Sequence, residues 1–338
     1  MAEVYAELEG LEGEERTQRL VELAQAEADE GGTISLYTST NVDESGPITD
    51  AFTDEYGVEV DLYRASSSSI LQRLLQEADA NYPGADVVAT NGPEMMILDR
   101  EGLLAPLETP VKDDIVEVAR YPNWAGFYLN VFVAAWNTNL LSEDEYPESW
   151  REVLTDYPGD LAMELGDWDW FATLLQEHLT TEEGMSEEEA VELFKEAARN
   201  ATVVDGHTTM AELMAAGEFS ITSSAYQHRI PRLQGDGAPV AWEPPVEPII
   251  VRPNGIGIHR DTNTPAAALL FTEYSMTDAQ ETLAEFERTP ANPDYGGVPE
   301  GYALVTVDLD DLLDTRDKWE GLYEEVVRES GQGVIEGE

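Results

Sequence analysis

Between residues 33 and 100, short apolar segments alternate with polar turns and with segments whose apolar residues have helical spacing. Alternating apolar residues predict strands, and apolar residues three or four apart predict amphipathic helices. The predicted elements are, in order, a strand at 33–37, a helix at 47–56, a strand at 58–63, a helix at 70–80 and a strand at 85–89. A further helix begins after Thr90-Asn91-Gly92-Pro93. Successive strand–turn–helix units of this kind are typical of an open α/β sheet.

A second stretch with the same pattern runs from about residue 136 to residue 246. We therefore predict two α/β lobes that are joined by two crossovers, one near Ala135 and one near residues 245–248, with a cleft between the lobes. The predicted division is an N-terminal surface helix at 1–32, lobe 1 at 33–135 plus 249–300, lobe 2 at 136–248, and a C-terminal helical segment at 301–338 that packs on a lobe.

Polar residues follow the predicted strands in both lobes. In open α/β sheets, ligands bind outside the carboxyl ends of the strands, where helix N-termini offer free N–H groups. The candidate ligand-binding residues of lobe 1 are Tyr37, Thr38, Ser39, Thr40, Ser67, Ser68, Thr90 and Asn91. Those of lobe 2 are Trp168, Asp169, Tyr226, His228 and Arg229.

Each of these residues also has a purely structural interpretation. Residues 66–69 and Thr90-Asn91 are suited to capping helices. Trp170 is expected in the core, whereas Trp168 alternates with it and can face the cleft. Arg229 can pair with one of the many carboxylates, and His207, which opens a predicted helix, is expected to be structural.

The composition excludes several classes of function. The 338 residues include 70 Asp and Glu against 18 Lys and Arg, a net charge of -52, so binding to nucleic acids or to anionic membranes is not expected. The acidic residues are spread along the chain, which indicates adaptation of the whole surface to concentrated salt. The alternative is an acidic protein from an ordinary habitat.

The sequence contains no cysteine, which excludes disulfides, thiolate nucleophiles and Cys-ligated metal centres. It also lacks the Gly-x-Ser-x-Gly, Gly-Lys-Ser/Thr and His-Glu-x-x-His motifs of common enzyme classes. A binding protein without catalysis is therefore the preferred interpretation. The alternative is a two-lobed, transferase-like enzyme with a cleft and no identifiable catalytic motif.

The order of nine short segments resembles the extracellular solute-binding proteins of ABC importers, in the family 1 or iron(III)-binding branch. The segments are ISLYTST (34–40), ITDAFTDEYGVEV (48–60), GADVVATN (84–91), LDREGLLAPL (98–107), WNTN (136–139), YQHR (226–229), GAPV (237–240), NGIG (254–257) and TPANP (289–293). The resemblance implies a bilobal fold like that of type II periplasmic binding proteins. It also implies capture of a solute by hinge closure and delivery to a membrane permease.

The same resemblance implies an extracellular protein on the cell surface, anchored by a lipid on a cysteine upstream of this sequence. It further implies a monomer and no cofactor, with ferric ion as a possible transported ligand. Iron-binding members carry two adjacent tyrosines after a strand of the second lobe. This chain has Tyr226 alone at that place, with His228 as the candidate second metal ligand.

The ligand therefore stays open at this point. Ferric ion prefers hard anionic oxygen ligands, for which Tyr226 is the candidate, and His228 is a candidate ligand in place of the second tyrosine. A small anionic or polar organic solute is the alternative, with Arg229 as a possible clamp for a carboxylate or phosphate. An inorganic anion, a sugar phosphate, a thiamine-like cation and a polyamine are all compatible with the sequence.

Overall fold

The computed structural model describes residues 1–330 and 334–335. Its strands are β1 (Ile34–Thr38), β2 (Val60–Arg64), β3 (Val87–Asn91), β4 (Trp124–Asn137), β5 (Leu161–Glu164), β6 (Thr202–Val204), β7 (Ile221–Tyr226), β8 (Val240–Ala241), β9 (Ile249–Ile258), β10 (Thr289–Pro290) and β11 (Leu304–Thr306).

The α-helices are α1 (Ala2–Leu8), α2 (Gly13–Asp29), α3 (Val42–Tyr56), α4 (Ser67–Asp79), α5 (Gly92–Arg100), α6 (Trp150–Thr155), α7 (Trp168–Thr173), α8 (Glu187–Ala198), α9 (His207–Ala216), α10 (Arg229–Gly235), α11 (Pro265–Met276), α12 (Ala279–Glu285), α13 (Leu309–Asp314) and α14 (Arg316–Arg328). A π-helical segment, Leu174–Thr180, continues α7. The predicted α/β class is confirmed. Among the described residues, no helix combines the length and apolar character needed to cross a membrane.

The first compact unit contains Met1–Leu129 and Pro253–Gly297, and we call it unit 1. Its strands lie in the order β2-β1-β3-β9-β4, in which β1 is parallel to β2 and to β3. Parallel neighbours need a crossover, and α3 and α4 provide one after β1 and after β2. The carboxyl ends of β1, β2 and β3 therefore share one edge of the sheet, and α3, α4 and α5 begin there.

The second unit, unit 2, contains Asn130–Arg252 and Val298–Glu338. Its strands lie in the order β4-β7-β5-β6, and β5 is parallel to both β6 and β7. Glu164, Val204 and Tyr226 end these three strands, so they lie along one edge. Helices α7 and α9 begin just beyond that edge.

The boundaries between the units differ from the predicted ones. The chain passes from one unit to the other after Leu129, Arg252 and Gly297, rather than after residues 135, 248 and 300. The physical reason is that the first two crossings lie inside β4 and β9, whose residues are buried along the whole length of each strand. A continuous apolar run in the sequence carries no signal for where such a strand leaves one unit.

The N-terminal helices α1 and α2 belong to unit 1, and the C-terminal helices α13 and α14 belong to unit 2. The single surface helix predicted at 1–32 is two helices of unit 1, and α2 packs along α11. In unit 2, α14 packs against α7 and α8. The part of the predicted C-terminal segment that covers 331–333 and 336–338 lies outside the described residues.

Unit 1 contains two ion pairs whose side chains are buried. Arg16 Nη2 lies 2.7 Å from Glu273 Oε1, and Arg288 Nη2 lies 2.7 Å from Glu44 Oε2. The Arg288 guanidinium also lies over the ring of Tyr128, 4.4 Å from its centroid. A buried charge is tolerated when it is paired, because its desolvation is otherwise uncompensated.

We expect Arg288→Met to lower the free energy of unfolding by about 3–5 kcal/mol, because it leaves the Glu44 carboxylate buried without its guanidinium. Denaturant unfolding in molar salt measures this change. The control is Arg328→Met, whose partner Glu324 is at the surface and whose loss is expected to change little. If the two substitutions lowered the free energy of unfolding equally, burial would not be the reason why the Arg288–Glu44 pair stabilises the fold.

Candidate functional site

At the shared strand edge of unit 1, four hydroxyl residues lie together. The backbone N–H of Thr40 donates to Thr38 Oγ1 at 3.0 Å, and Thr90 Oγ1 donates to Ser39 Oγ at 3.3 Å. Thr38, Thr40 and Thr90 are buried, whereas Ser39 is half-buried. The structure thus brings together the candidates from the ends of β1 and β3.

The helices that begin at this edge are capped in different ways. Ser66 caps α4, because its Oγ accepts from the backbone N–H of Ser69. Ser67 and Ser68 form the first turn of that helix. The N-cap residues of α3 and α5 are Asn41 and Asn91, and their side-chain oxygens accept instead from Arg64 and Asn254. The first N–H groups of α3 and α5 therefore receive no cap from these two side chains.

Tyr37 is directed toward α4. Its hydroxyl donates to Glu77 at 3.0 Å, and the guanidinium of Arg73 lies 4.7 Å from the centre of its ring. Burial, together with the hydrogen bond to Glu77, raises the pKa of Tyr37 to about 12. Tyr37 is thus a packed residue of the β1–α4 interface, on the opposite face of β1 from Thr38.

In unit 2, Tyr226 at the end of β7 is surrounded by aromatic rings. Its ring stacks on His207, with centroids 4.0 Å apart and an angle of 12° between the planes. The rings of Phe132 and His228 lie 5.3 Å and 5.7 Å away. The structure thus brings together Tyr226 and His228, as the sequence predicted, and adds His207, for which the sequence predicted a structural role.

A buried arginine, Arg252, holds the hydroxyl group of Tyr226. Arg252 Nη2 donates to the Tyr226 hydroxyl at 2.9 Å, and Nη1 donates to Asp169 Oδ2 at 2.6 Å. The guanidinium also lies 4.8 Å from the centroid of Phe132. Sequence reasoning missed Arg252, although a cation directly after the apolar residues 249–251 was a signal that could have revealed it.

Beside this cluster lie the buried side chains of Glu164, Asp167 and His207. Glu164 Oε1 accepts from the N–H of Gly206 at 3.0 Å, and His207 Nε2 lies 2.9 Å from Asp167 Oδ1. Burial and the charge of Asp167 raise the pKa of Glu164 to about 7. Burial alone would lower the pKa of His207, but the charges of Asp167 and Glu164 outweigh it and raise the pKa. Glu164 and Asp167 were not among the site residues predicted from the sequence.

The remaining candidates of unit 2 differ in their surroundings. Asp169 is buried against Arg252, while Trp168 is half-buried and Trp170 is fully buried beside Trp150. Arg229 pairs with Glu212, with Nη2 2.9 Å from Oε1. Arg252 therefore donates to Tyr226, whereas Arg229 pairs with Glu212.

Comparison with known proteins identifies a family and a fold. The sequence pattern of the bacterial extracellular solute-binding proteins matches residues 48–301. The periplasmic binding protein AfuA from Actinobacillus pleuropneumoniae, solved with fructose-6-phosphate bound, superimposes with a TM-score of 0.76 at 20% identity, covering 88% of this chain and 99% of AfuA.

Two iron-binding proteins also have similar structures. Iron-bound HitA from Pseudomonas aeruginosa has a TM-score of 0.72 at 16% identity, covering 87% of this chain and 99% of HitA. The apo ferric ion-binding protein A of Pasteurella haemolytica has a TM-score of 0.74 at 15% identity, covering 89% and 99%. The predicted periplasmic-binding-protein fold of type II is confirmed. At these identities the solved structures establish the fold alone.

We expect Tyr226→Phe to lower the free energy of unfolding by ~1.5 kcal/mol, since it removes the hydrogen bond from the Arg252 guanidinium and keeps the stacked ring. Tyr226→Ala removes the ring as well, and we expect it to cost at least twice as much. Denaturant unfolding measures both effects. Tyr82→Phe, at an exposed tyrosine, is the control. If Phe and Ala cost the same, the stack on His207 contributes nothing.

Proposed function

This chain belongs to the bacterial extracellular solute-binding protein family, and we propose that its ligand is a small organic anion carrying a carboxylate or a phosphate. The protein is a substrate-binding receptor of the kind that delivers solutes to the membrane permease of an ABC importer. The proposal concerns which solute it takes and which residues bind the anionic group.

The observation that carries the proposal is the convergence of three helix N-termini at the strand edge of unit 1. Each of α3, α4 and α5 follows one of three neighbouring parallel strands, so their positive dipole ends face the same edge. Helix N-termini with aligned dipoles favour an anion, and Arg64, the last residue of β2, places a guanidinium at the same edge. The hydroxyl of Ser39, which accepts from Thr90 Oγ1, keeps its own hydrogen as a donor there.

A ferric ligand is less compatible with the surroundings of Tyr226. The phenolic oxygen that would bind iron already accepts from Arg252, and iron there would face the positive guanidinium. Tyr226 is also the only tyrosine in the segment 224–229. The relative AfuA, whose structure contains fructose-6-phosphate, shows that a protein of this fold accepts a phosphorylated solute. We therefore propose Tyr226, His228 and Trp168 as contacts for an organic ligand.

We expect Asn91→Asp to weaken binding of the anionic ligand about tenfold or more, because one carboxylate at the edge repels the anion. The fold should be retained, because the aspartate carboxylate can accept from Asn254 as Asn91 Oδ1 does, and its charge suits the helix dipole. Calorimetric titration in molar salt measures the affinity, with a panel of hexose phosphates and dicarboxylates as probes. The matched control is Asn200→Asp, which places the same charge on an exposed turn of unit 2.

Three results would contradict this proposal. The first is equal binding of the uncharged hexose and the hexose phosphate, and the second is an unchanged affinity in Asn91→Asp. The third is a visible charge-transfer band on titration with ferric citrate that disappears in Tyr226→Phe. That band would instead establish a ferric-ion receptor with Tyr226 as a ligand.

We also propose that the protein works in concentrated salt. Its net charge of -52 produces self-repulsion that dilute buffer screens poorly. The Debye length falls from about 10 Å at 0.1 M to about 3 Å at 1 M, so molar salt removes most of the repulsion between exposed carboxylates. We further propose a monomeric receptor without catalysis, attached to the cell surface by a lipid anchor, as the family resemblance implies.

We expect the melting temperature to fall when KCl is lowered from about 3 M to about 0.1 M, because the repulsion is then screened less. Scanning calorimetry at fixed pH measures the change. Trehalose in place of KCl is the control, since an uncharged osmolyte stabilises by exclusion and cannot screen charge. A melting temperature that is independent of KCl, or that trehalose restores equally, would refute adaptation to salt.

A further inference from the structure

Three side chains of unit 2 that the proposed function does not use form a compact set of metal-binding groups. Glu164 ends β5, Asp167 is the N-cap residue of α7, and His207 is the first residue of α9. One ligand atom from each lies within 4.8 Å of the other two. Relative exposures are 6%, 1% and 9%, so the set lies inside the unit and not among the solvated acidic residues of the surface.

The hydrogen bonds of this set are incomplete. Within the described part of the chain, Asp167 Oδ2 has no hydrogen-bond partner, although it is buried. His207 Nε2 lies 2.9 Å from the other oxygen, Asp167 Oδ1, so the imidazole nitrogen is directed into the set. Two atoms that bind one metal ion at about 2.0–2.1 Å lie roughly 3 Å apart, which this spacing matches.

The remaining ligand, Glu164, is already oriented. Its two carboxylate oxygens accept from the backbone N–H groups of Gly206 and Gly166, at 3.0 Å and 2.5 Å. A carboxylate has about four lone-pair positions, so these two bonds leave electron pairs for a metal ion. Bonds of this type hold a metal-binding carboxylate in place before the ion arrives.

The charges around the set also favour a cation. Glu164 and Asp167 place two carboxylates in a buried space. The nearby guanidinium of Arg252 is itself held by the carboxylate of Asp169 at 2.6 Å. Buried carboxylates are costly unless they are paired or bind a metal ion.

We propose that Glu164, Asp167 and His207 bind a divalent first-row metal ion, Zn²⁺ or Mn²⁺, as a resident ion of unit 2. One imidazole nitrogen with carboxylate oxygens is a donor set that these ions accept, whereas Ca²⁺ and Mg²⁺ prefer oxygen ligands alone. The bound ion links the start of α7 and the start of α9 to the end of β5. The site is independent of the transported solute.

Equilibrium dialysis against Zn²⁺ tests the site, in molar KCl with excess Mg²⁺ to occupy weak surface carboxylates. We expect one tightly bound Zn²⁺ per chain. We expect His207→Gln and Asp167→Asn each to weaken it about 100-fold or more. His178→Gln is the matched control, because His178 Nε2 also lies 3.2 Å from a carboxylate, that of Glu183, but near the surface and with a single acid.

A second measurement does not require the variants of the site to fold. The chain has four histidines, so isotope-labelled histidine gives few imidazole signals in an NMR spectrum. We expect Zn²⁺ to shift the nitrogen signal of a single histidine strongly. Substituting His178, His228 and His259 in turn, with glutamine, assigns the shifted signal to His207 by elimination.

Two results would overturn the proposal. One is the absence of a tight Zn²⁺ or Mn²⁺ ion in the wild-type chain under these conditions. The other is a metal-shifted histidine that is not His207. Neither result bears on the Asn91→Asp titration, so failure of the metal site and failure of the proposed anion ligand are distinguishable.

Discussion

Pairing of buried arginines with buried carboxylates is the constraint on which this architecture depends. Four arginines of the described residues are buried, and three of them, at positions 16, 252 and 288, each contact a buried carboxylate from another element. A guanidinium offers a planar set of donors that matches a carboxylate, which makes it the cation best suited to such places. In a chain with 18 cations, these side chains are used inside the units and not for balancing the surface charge.

The buried pair of unit 2, Arg252 with Asp169, orients the residues around Tyr226 in the candidate site. Asp169 holds Arg252, Arg252 holds the hydroxyl of Tyr226, and the ring of Tyr226 stacks on His207. Each member is oriented by the next, so the aromatic face is held in one arrangement. Such preorganisation lowers the conformational entropy that a ligand must otherwise overcome on binding.

The two units place different polar groups at comparable strand ends. In unit 1 the edge carries hydroxyls, positive helix ends and Arg64, with Asp43, Glu44 and Glu94 in the first turns of α3 and α5. In unit 2 the residues at the edge include Glu164, Asp167 and Asp169, beside Arg252 and His207. The same α/β topology thus produces an edge suited to anions in one unit and a buried carboxylate set suited to a cation in the other.

Sequence periodicity predicted the strands and helices between residues 33 and 100 and the position of Tyr226 after a strand, because strand alternation and polar turns are local signals. It did not predict Arg252, Glu164 or Asp167 as site residues. Their proximity arises from the parallel pairing of β5 with β6 and β7 and from β9, which are distant in the chain. The predicted boundaries between the units differ from the observed ones for a related reason. Because β4 and β9 are buried throughout, their sequences do not mark where the chain leaves one unit.

The seven tryptophans give this chain an internal optical reporter. Six are buried, namely Trp124, Trp136, Trp150, Trp170, Trp242 and Trp319. Trp168, the remaining one, is half-buried, and it directly precedes the carboxylate that holds Arg252. A collisional quencher in the solvent therefore reaches mainly this one indole, and the quenchable fraction of the emission reports on the surroundings of Asp169 without any added label.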